Sequence, residues 1–342
     1  MALVQKHLGT GRRHFSPQPG KYAGRIFPVK NAKILTVTLN PSLDKTIVVP
    51  YLKIGDECRA GKINLCAGGK GINVSRALRC LGVKSVATGF LAGATGSCIE
   101  QQLLQEGAAC DFLFIGGQSR TNLTIVDPYR KNKISRIIEQ GPRVSLREVN
   151  RFYGKVESSI KYFQYLVISG SRISGVDDYF YGRLIRTAKN YGVKTALDAS
   201  GIVLKSGLAA GPFMVKLNIE EAQEATGRKL NSLKTIKEAA RYFHAAGASI
   251  AAITAGSRGA MVFNGKEMVF AVPPRVFSKN FVGCGDAFLA GFLFSLSRKE
   301  SLAVCAQTAS ACGAANVLST IPGFIDRKEV RRLRDKVKLK KY

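Results

Sequence analysis

Tryptophan is absent from the 342 residues, histidine occurs three times, and no two of the eight cysteines have a C-x-x-C spacing. Catalysis built on a Ser–His or Cys–His pair is therefore disfavoured, since His7 and His14 lie near the start and only His244 lies in the body. Without a C-x-x-C pair, metal-site and redox-motif readings both fail. Several cysteines fall in apolar stretches, where a free thiol acts as a small hydrophobe, and this usage fits a reducing compartment. The chain is accordingly expected to be cytoplasmic. The longest apolar stretch, around Ala287 to Leu296, is too short to span a bilayer.

Acidic residues are also scarce, 23 against 52 basic ones, for a formal charge of +29. The imbalance is concentrated at the ends. Residues 1–43 carry seven Lys or Arg and no acid, and residues 326–342 carry nine basic residues and three acidic. Residues 1–32, with Pro17 and Gly20 and no apolar segment of the secretory type, are expected to be a poorly ordered extension, and 326–342 a basic C-terminal tail. Such a field attracts anionic substrates, and nucleic acid non-specifically. No zinc-finger, RNA-recognition or basic-zipper pattern interleaves aromatics with the charge, so specific nucleic-acid binding is not expected. The whole chain, 46% hydrophobic and 22% charged, has the composition of a globular protein with a sizeable core.

From Lys33 onward, β-rich runs and helical spacings alternate. Ile34–Leu39 is followed by short extended runs at Thr46–Tyr51 and Ile63–Cys66, then a helix over Ile72–Leu81 ended by Gly82. Regular strand–helix units resume after residue 145, and the last helices are expected near 285–297 and 300–318. This alternation predicts an α/β fold, a mostly parallel sheet with helices on both faces. Extended pieces within about 44–66 and 111–139, broken by Gly116-Gly117 and Asp127-Pro128, do not fit that sheet. They predict a small inserted β-layer.

Six segments point to chemistry. In Val282-Gly283-Cys284-Gly285-Asp286-Ala287 two glycines precede an apolar helix. The free N–H groups at its start suit an anion, here a transferring phosphoryl group. Asp286 is the candidate base beside it, with helix capping as the ordinary alternative. Gly68-Gly69-Lys70-Gly71-Ile72-Asn73 is no P-loop, because Gly follows the Lys. It reads as a cradle for sugar hydroxyls, with Lys70 near an anionic group. Asp44, just past the first strand, lies where α/β sheets bind ligands. In the inserted layer, Arg120 suits a substrate phosphate, with Asn122 beside it in the motif as a further substrate-binding candidate. Finally, Lys216, Asn218 and Glu221 follow a buried strand, and Thr254, Gly256 and Gly259 form a glycine loop that suits a nucleotide phosphate. Asn218 and Glu221 suit magnesium held through water, or equally a capping box.

Taken in order, these motifs resemble those of the ribokinase-like, PfkB-type carbohydrate kinases, and of their 1-phosphofructokinase and tagatose-6-phosphate kinase branch. TLNPSLD at 38–44, GGKGIN at 68–73, SRTN at 119–122, LDASG at 197–201 and VGCGDAF at 282–288 carry the resemblance. It implies a kinase domain over 33–325 with a β-layer lid over the sugar, and phosphoryl transfer from MgATP to a phosphorylated ketose. Asp286 would be the base and Gly283–Gly285 the anion hole. Asp44, Gly68–Gly71 and Asn73 would bind sugar, and Arg120 its phosphate. Fructose 1-phosphate is the leading substrate, with tagatose 6-phosphate or fructose 6-phosphate as neighbours and an inactive sensor with nucleic-acid-binding ends as a distant alternative. The lid offers a homodimer contact. The chain departs from the usual Gly-Ser-Leu-Pro-x-Gly at Gly170-Ser171-Arg172-Ile173-Ser174-Gly175.

Overall fold

The computed structural model describes residues 32–53, 55–129, 133–277 and 280–342. The extension expected over 1–32 lies, except for Ala32, outside them. The main sheet is built on β1 (Ile34–Thr38), a run of apolar and β-branched residues buried along its whole length. On one side β1 pairs in parallel with β4 (Ser85–Ala92). On the other it leads through β9 (Tyr165–Ser169), β10 (Lys194–Asp198) and β11 (Met214–Asn218) to β12 (Ile250–Thr254), all parallel. Strands buried on both faces read as continuous apolar runs because helices cover both sides.

One face carries α3 (Leu146–Ile160), α4 (Phe180–Asn190), α5 (Gly201–Ala209), α6 (Ile219–Thr226) and α7 (Leu233–Ala245). They pack Phe152, Phe180, Leu204, Ala222 and Phe243 into one core. The other carries α1 (Lys70–Cys80), α8 (Cys284–Ser297), α9 (Leu302–Val317) and α10 (Arg327–Arg334), whose core includes Val74, Leu289, Ala306 and Leu333. A smaller core under α2 (Gly93–Gln105) joins Ile72, Leu91 and Leu103. None of the described helices is long and apolar enough to cross a membrane.

The predicted β-layer is a separate four-stranded sheet in the order β3 (Lys62–Gly68), β2 (Ser42–Val48), β7 (Arg120–Asp127), β8 (Lys133–Ile137). Its second segment begins later than expected. Ala109–Cys110 (β5) and Leu113–Ile115 (β6) pair in parallel with β4 at the edge of the main sheet. Phe112 and Leu113 bury there, a tertiary pull that a short apolar run does not announce. Beyond β12 the sheet continues with β13 (Ala260–Phe263) and β14 (Met268–Val272), antiparallel to their neighbours.

Residues 326–342, expected as a tail, are part of the fold. Asp326 caps α10 by accepting from the Lys328 N–H, Val330 and Leu333 are buried, and β15 (Lys338–Lys341) extends the main sheet beside β14. Apolar residues spaced through the basic run, Val330, Leu333, Val337 and Leu339, were the available signal, and the charge masked it. Lysines on an outermost strand also discourage edge-to-edge pairing.

Candidate active site

A cavity of about 570 Å³ opens where the parallel strands end, the position at which α/β sheets bind ligands. Lid residues, the starts of α1 and α8, the β11–α6 turn and the loop after β12 all contribute to its lining.

The lid wall follows from strand alternation, which puts residues i and i+2 on one face. Parallel pairing sets Ser42 opposite Arg120 and Asp44 opposite Asn122. Asp44 Oδ1 accepts from Ser42 Oγ at 2.8 Å and from Asn122 Nδ2 at 2.9 Å. Arg120 donates to the Asn40 carbonyl at 2.9 Å and, at 3.3 Å, to that of Glu139. Burial pulls its guanidinium below the usual value, against the carboxylates of Asp44 and Glu139. Its Nε and the Oδ1 of Asn122 are buried and have no hydrogen-bond partner among the described residues, a cost that a bound hydroxyl or phosphate relieves.

Opposite the lid, the residue at the N-terminal cap of α8 is Gly283, whose φ of 84° is left-handed. A Cβ there would also lie 2.7 Å from the Gly323 nitrogen, so only glycine fits. No side chain caps this helix, which leaves first-turn N–H groups for an anion. Cys284, Gly285 and Asp286 line the cavity there. Capping, the ordinary alternative for Asp286, does not occur. Its Oδ2 instead accepts from Asn73 Nδ2 at 2.8 Å. Burial raises the Asp286 carboxyl to about 6; the Asp198 charge acts the same way, against Lys216, the Asn73 hydrogen bond and Lys70.

The floor holds an ionic network that sequence reasoning did not assign. Asp198, fully buried at the end of β10, accepts from Lys70 Nζ at 2.9 Å and Lys216 Nζ at 2.8 Å. Burial would raise its carboxyl, but the two lysines outweigh that and hold it below the ordinary value. Lys70 also donates to Glu221 Oε1 at 2.8 Å. Burial lowers the Lys70 ammonium, yet Asp198 and Glu221 together hold it well above normal. LDASG at 197–201 was the available signal for Asp198, but without a partner in view it carried no role.

Several expectations change with this geometry. Lys70 faces two carboxylates, not an open anion site. Lys216, expected beside the nucleotide, is buried against Asp198, and its amine lies 2.7 Å from where a Cβ on Gly285 would sit. Asn218 and Glu221 form a reciprocal capping box on α6, the ordinary alternative, although Glu221 still lines the cavity. Gly68, Gly71 and Gly259 do not line it. They permit close packing, since a Cβ on them would lie 2.1 Å from Asp44 Oδ2, 2.5 Å from Thr38 Oγ1 and 2.7 Å from the Ala271 carbonyl, respectively. Asp44, Gly69, Lys70, Asn73, Arg120, Asn122, Lys216, Asn218, Thr254, Gly256 and Gly283–Asp286 do converge there, with Ser42, Arg258 and Phe281 as additions.

Comparison with known proteins agrees with the motifs. Residues 37–326 match the family described as pfkB family carbohydrate kinase. The chain is 31% identical over 280 residues to a 1-phosphofructokinase of Rhodobacter capsulatus, covering 82% of this chain and 88% of that protein. It is 30% identical over 296 residues to a tagatose-6-phosphate kinase of Staphylococcus epidermidis, covering 86% and 94%. The crystal structure of phosphofructokinase-2 from Escherichia coli in complex with potassium superposes with a TM-score of 0.83 at 26% identity, covering 89% of this chain and 99% of that one. A family match spanning most of the chain, with its motifs gathered around one cavity, shows that this protein belongs to the pfkB family of carbohydrate kinases.

Proposed function

We propose that the protein transfers a phosphoryl group from ATP to a hydroxyl of a ketose phosphate, with fructose 1-phosphate as the leading substrate and fructose 1,6-bisphosphate as product. The observation that carries this reading is Asp286 with its raised carboxyl, in the first turn of an uncapped helix, sharing a cavity with Arg120 and Asp44. Asp44 and Asn122 would orient sugar hydroxyls, and Arg120 with its free Nε would meet the existing phosphate. The attacking hydroxyl passes its proton to Asp286 as its oxygen bonds to the γ-phosphorus, and the bond to the ADP oxygen breaks. N–H groups of Cys284 and Gly285 would face the charge on the transferring group. Thr254, Gly256 and Arg258 line the cavity towards β12 and suit the nucleotide.

Glu221 lines the cavity beside Asn218, and a single carboxylate there suits magnesium, which usually keeps several waters and binds through one or two carboxylates plus substrate phosphates. Glu221 would hold it through water, and the ion would neutralise phosphate charge. The cytoplasm is the compartment this chemistry suits. The tagatose-6-phosphate alternative stands on the Staphylococcus epidermidis relative, and a panel of ketose phosphates separates it from fructose 1-phosphate. The lid's outer face carries exposed Ile63, Leu65 and Ile137, which would pair the protein with a second copy.

The central test is Asp286→Asn. Asn keeps the shape and can accept from Asn73, but it cannot take the proton. The variant should lose about 10²–10⁴-fold in kcat, with the KM for ATP and sugar phosphate nearly unchanged. A folded variant keeping more than about a tenth of parental kcat would remove Asp286 as the base.

A further inference from the structure

Asn73 is 4% exposed, and its amide touches two groups with opposite needs. Asp286 accepts from its Nδ2, and on the other side Arg76 Nη1 donates to its Oδ1 at 3.0 Å. A guanidinium only donates, and a carboxylate only accepts when ionised. The amide therefore has one orientation that satisfies both neighbours. Arg76 is itself held fast. It is only 1% exposed, and its five N–H groups are all used. Beyond Asn73, they go to Glu106 Oε2 at 2.7 Å and Oε1 at 3.0 Å, the Ala67 carbonyl at 2.8 Å and the Pro322 carbonyl at 2.7 Å. Ala67 lies near the end of the lid strand β3, and Pro322 adjoins Gly323, which packs against both Asn73 and the start of α8.

We propose that Arg76 is a positioning residue for phosphoryl transfer: by donating to Asn73 Oδ1 it locks the amide with Nδ2 towards Asp286 and so holds the base's carboxylate in place. This rests on Asp286 being the base. Removing the donor leaves Oδ1 without that partner, so the amide is no longer anchored and can swing away from the carboxylate. The carboxylate loses a hydrogen bond that favours its ionised form, so its proton affinity rises. The other charged or titratable groups acting on Asp286 stay in place: Asp198 from β10, Lys216 from β11, Lys70 from α1 and Cys284 on α8. A purely structural arginine would affect melting but not the protonation of a residue it does not touch.

The test compares Arg76→Met and Arg76→Gln, alone and combined with Asp286→Asn. Glu106, at 27% side-chain exposure, can take water when its partner is neutral, which favours folded variants. Arg76→Met should lower kcat on the order of 10–100-fold, as loss of a partner that orients a catalytic group does. Both KM values should move much less, and the acidic limb of the kcat profile should shift to higher pH. Arg76→Gln retains a donor for Asn73 Oδ1 and should recover part of both effects. In the Asp286→Asn background Arg76→Met should cost no further kcat, because its route of action is gone. Parental kcat and an unmoved acidic limb in folded Arg76→Met would overturn the proposal, as would an equal loss in the Asp286→Asn background. If Arg76→Met does not fold, Arg76→Gln decides: a limb shifted upward by less than one pH unit supports the proposal, and an unmoved one overturns it. Failure of the base reading is distinct, since Asp286→Asn alone would then keep its kcat.

Discussion

The charge of Asp198 bears directly on how Asp286 titrates. Like charges disfavour ionisation of a neighbour, and Asp198 is among the groups that raise the Asp286 carboxyl to about 6. Asp198→Asn removes that repulsion and leaves Lys70 and Lys216 less neutralised. The Asp286 carboxyl should therefore fall, and the acidic limb of kcat should move to lower pH. The same substitution breaks a buried ionic cluster in which both lysines donate to one carboxylate, at a cost of about 3–5 kcal/mol. A pH–rate profile together with a denaturant melt checks both halves. A limb that stays put or moves upward would show that Asp198 does not act on the base through its charge.

Alternation along the lid strands divides their side chains between two tasks. Ser42, Asp44, Arg120 and Asn122 line the cavity, while Ile63 and Leu65 alternate with Asn64 and Cys66 on β3. Pairing sets Leu65 opposite Lys45 and Ile137 opposite Leu123, on the face away from Asp44. Isolated exposed apolar residues are ordinary, but several on one sheet face mark a contact surface. The parent should sediment as a dimer at micromolar concentration and Leu65→Glu as a monomer, since a buried unpaired charge is costly. A parent that sediments as a monomer would leave that face without a second copy.

At the scale of the whole molecule, a formal charge of +29 acts on two anionic substrates. Long-range attraction is screened once the Debye length falls to about 10 Å at 0.1 M salt. The KM for ATP and for sugar phosphate should both rise as potassium chloride increases from about 0.02 to 0.3 M, while kcat at saturation stays level. Titration of KM against salt measures this. A flat response would mean that the cavity's own lysines and arginines set the affinity and the surface charge adds nothing.

The amino-acid sequence by itself determined the class of fold and the likeness to carbohydrate kinases. Both are written in local pattern: strand–helix alternation, glycines ahead of α1 and α8, and Asp286 one step past the second glycine. Strand periodicity also sufficed for the existence of a lid. Other decisions belong to tertiary structure, because they join residues far apart in the chain. Lys70 reaches Asp198 and Glu221 across 128 and 151 positions, so a lysine in a glycine-rich turn gave no sign that it would neutralise carboxylates. Asn73 meets Asp286 across 213 positions, and Arg76 meets Pro322 across 246. Charge likewise concealed the C-terminal segment, where burial of Val330 and Leu333 and pairing of β15 with β14 outweigh nine basic residues in the final seventeen. Only folding brings such partners within hydrogen-bonding distance, and in a buried site each polar group must then find one.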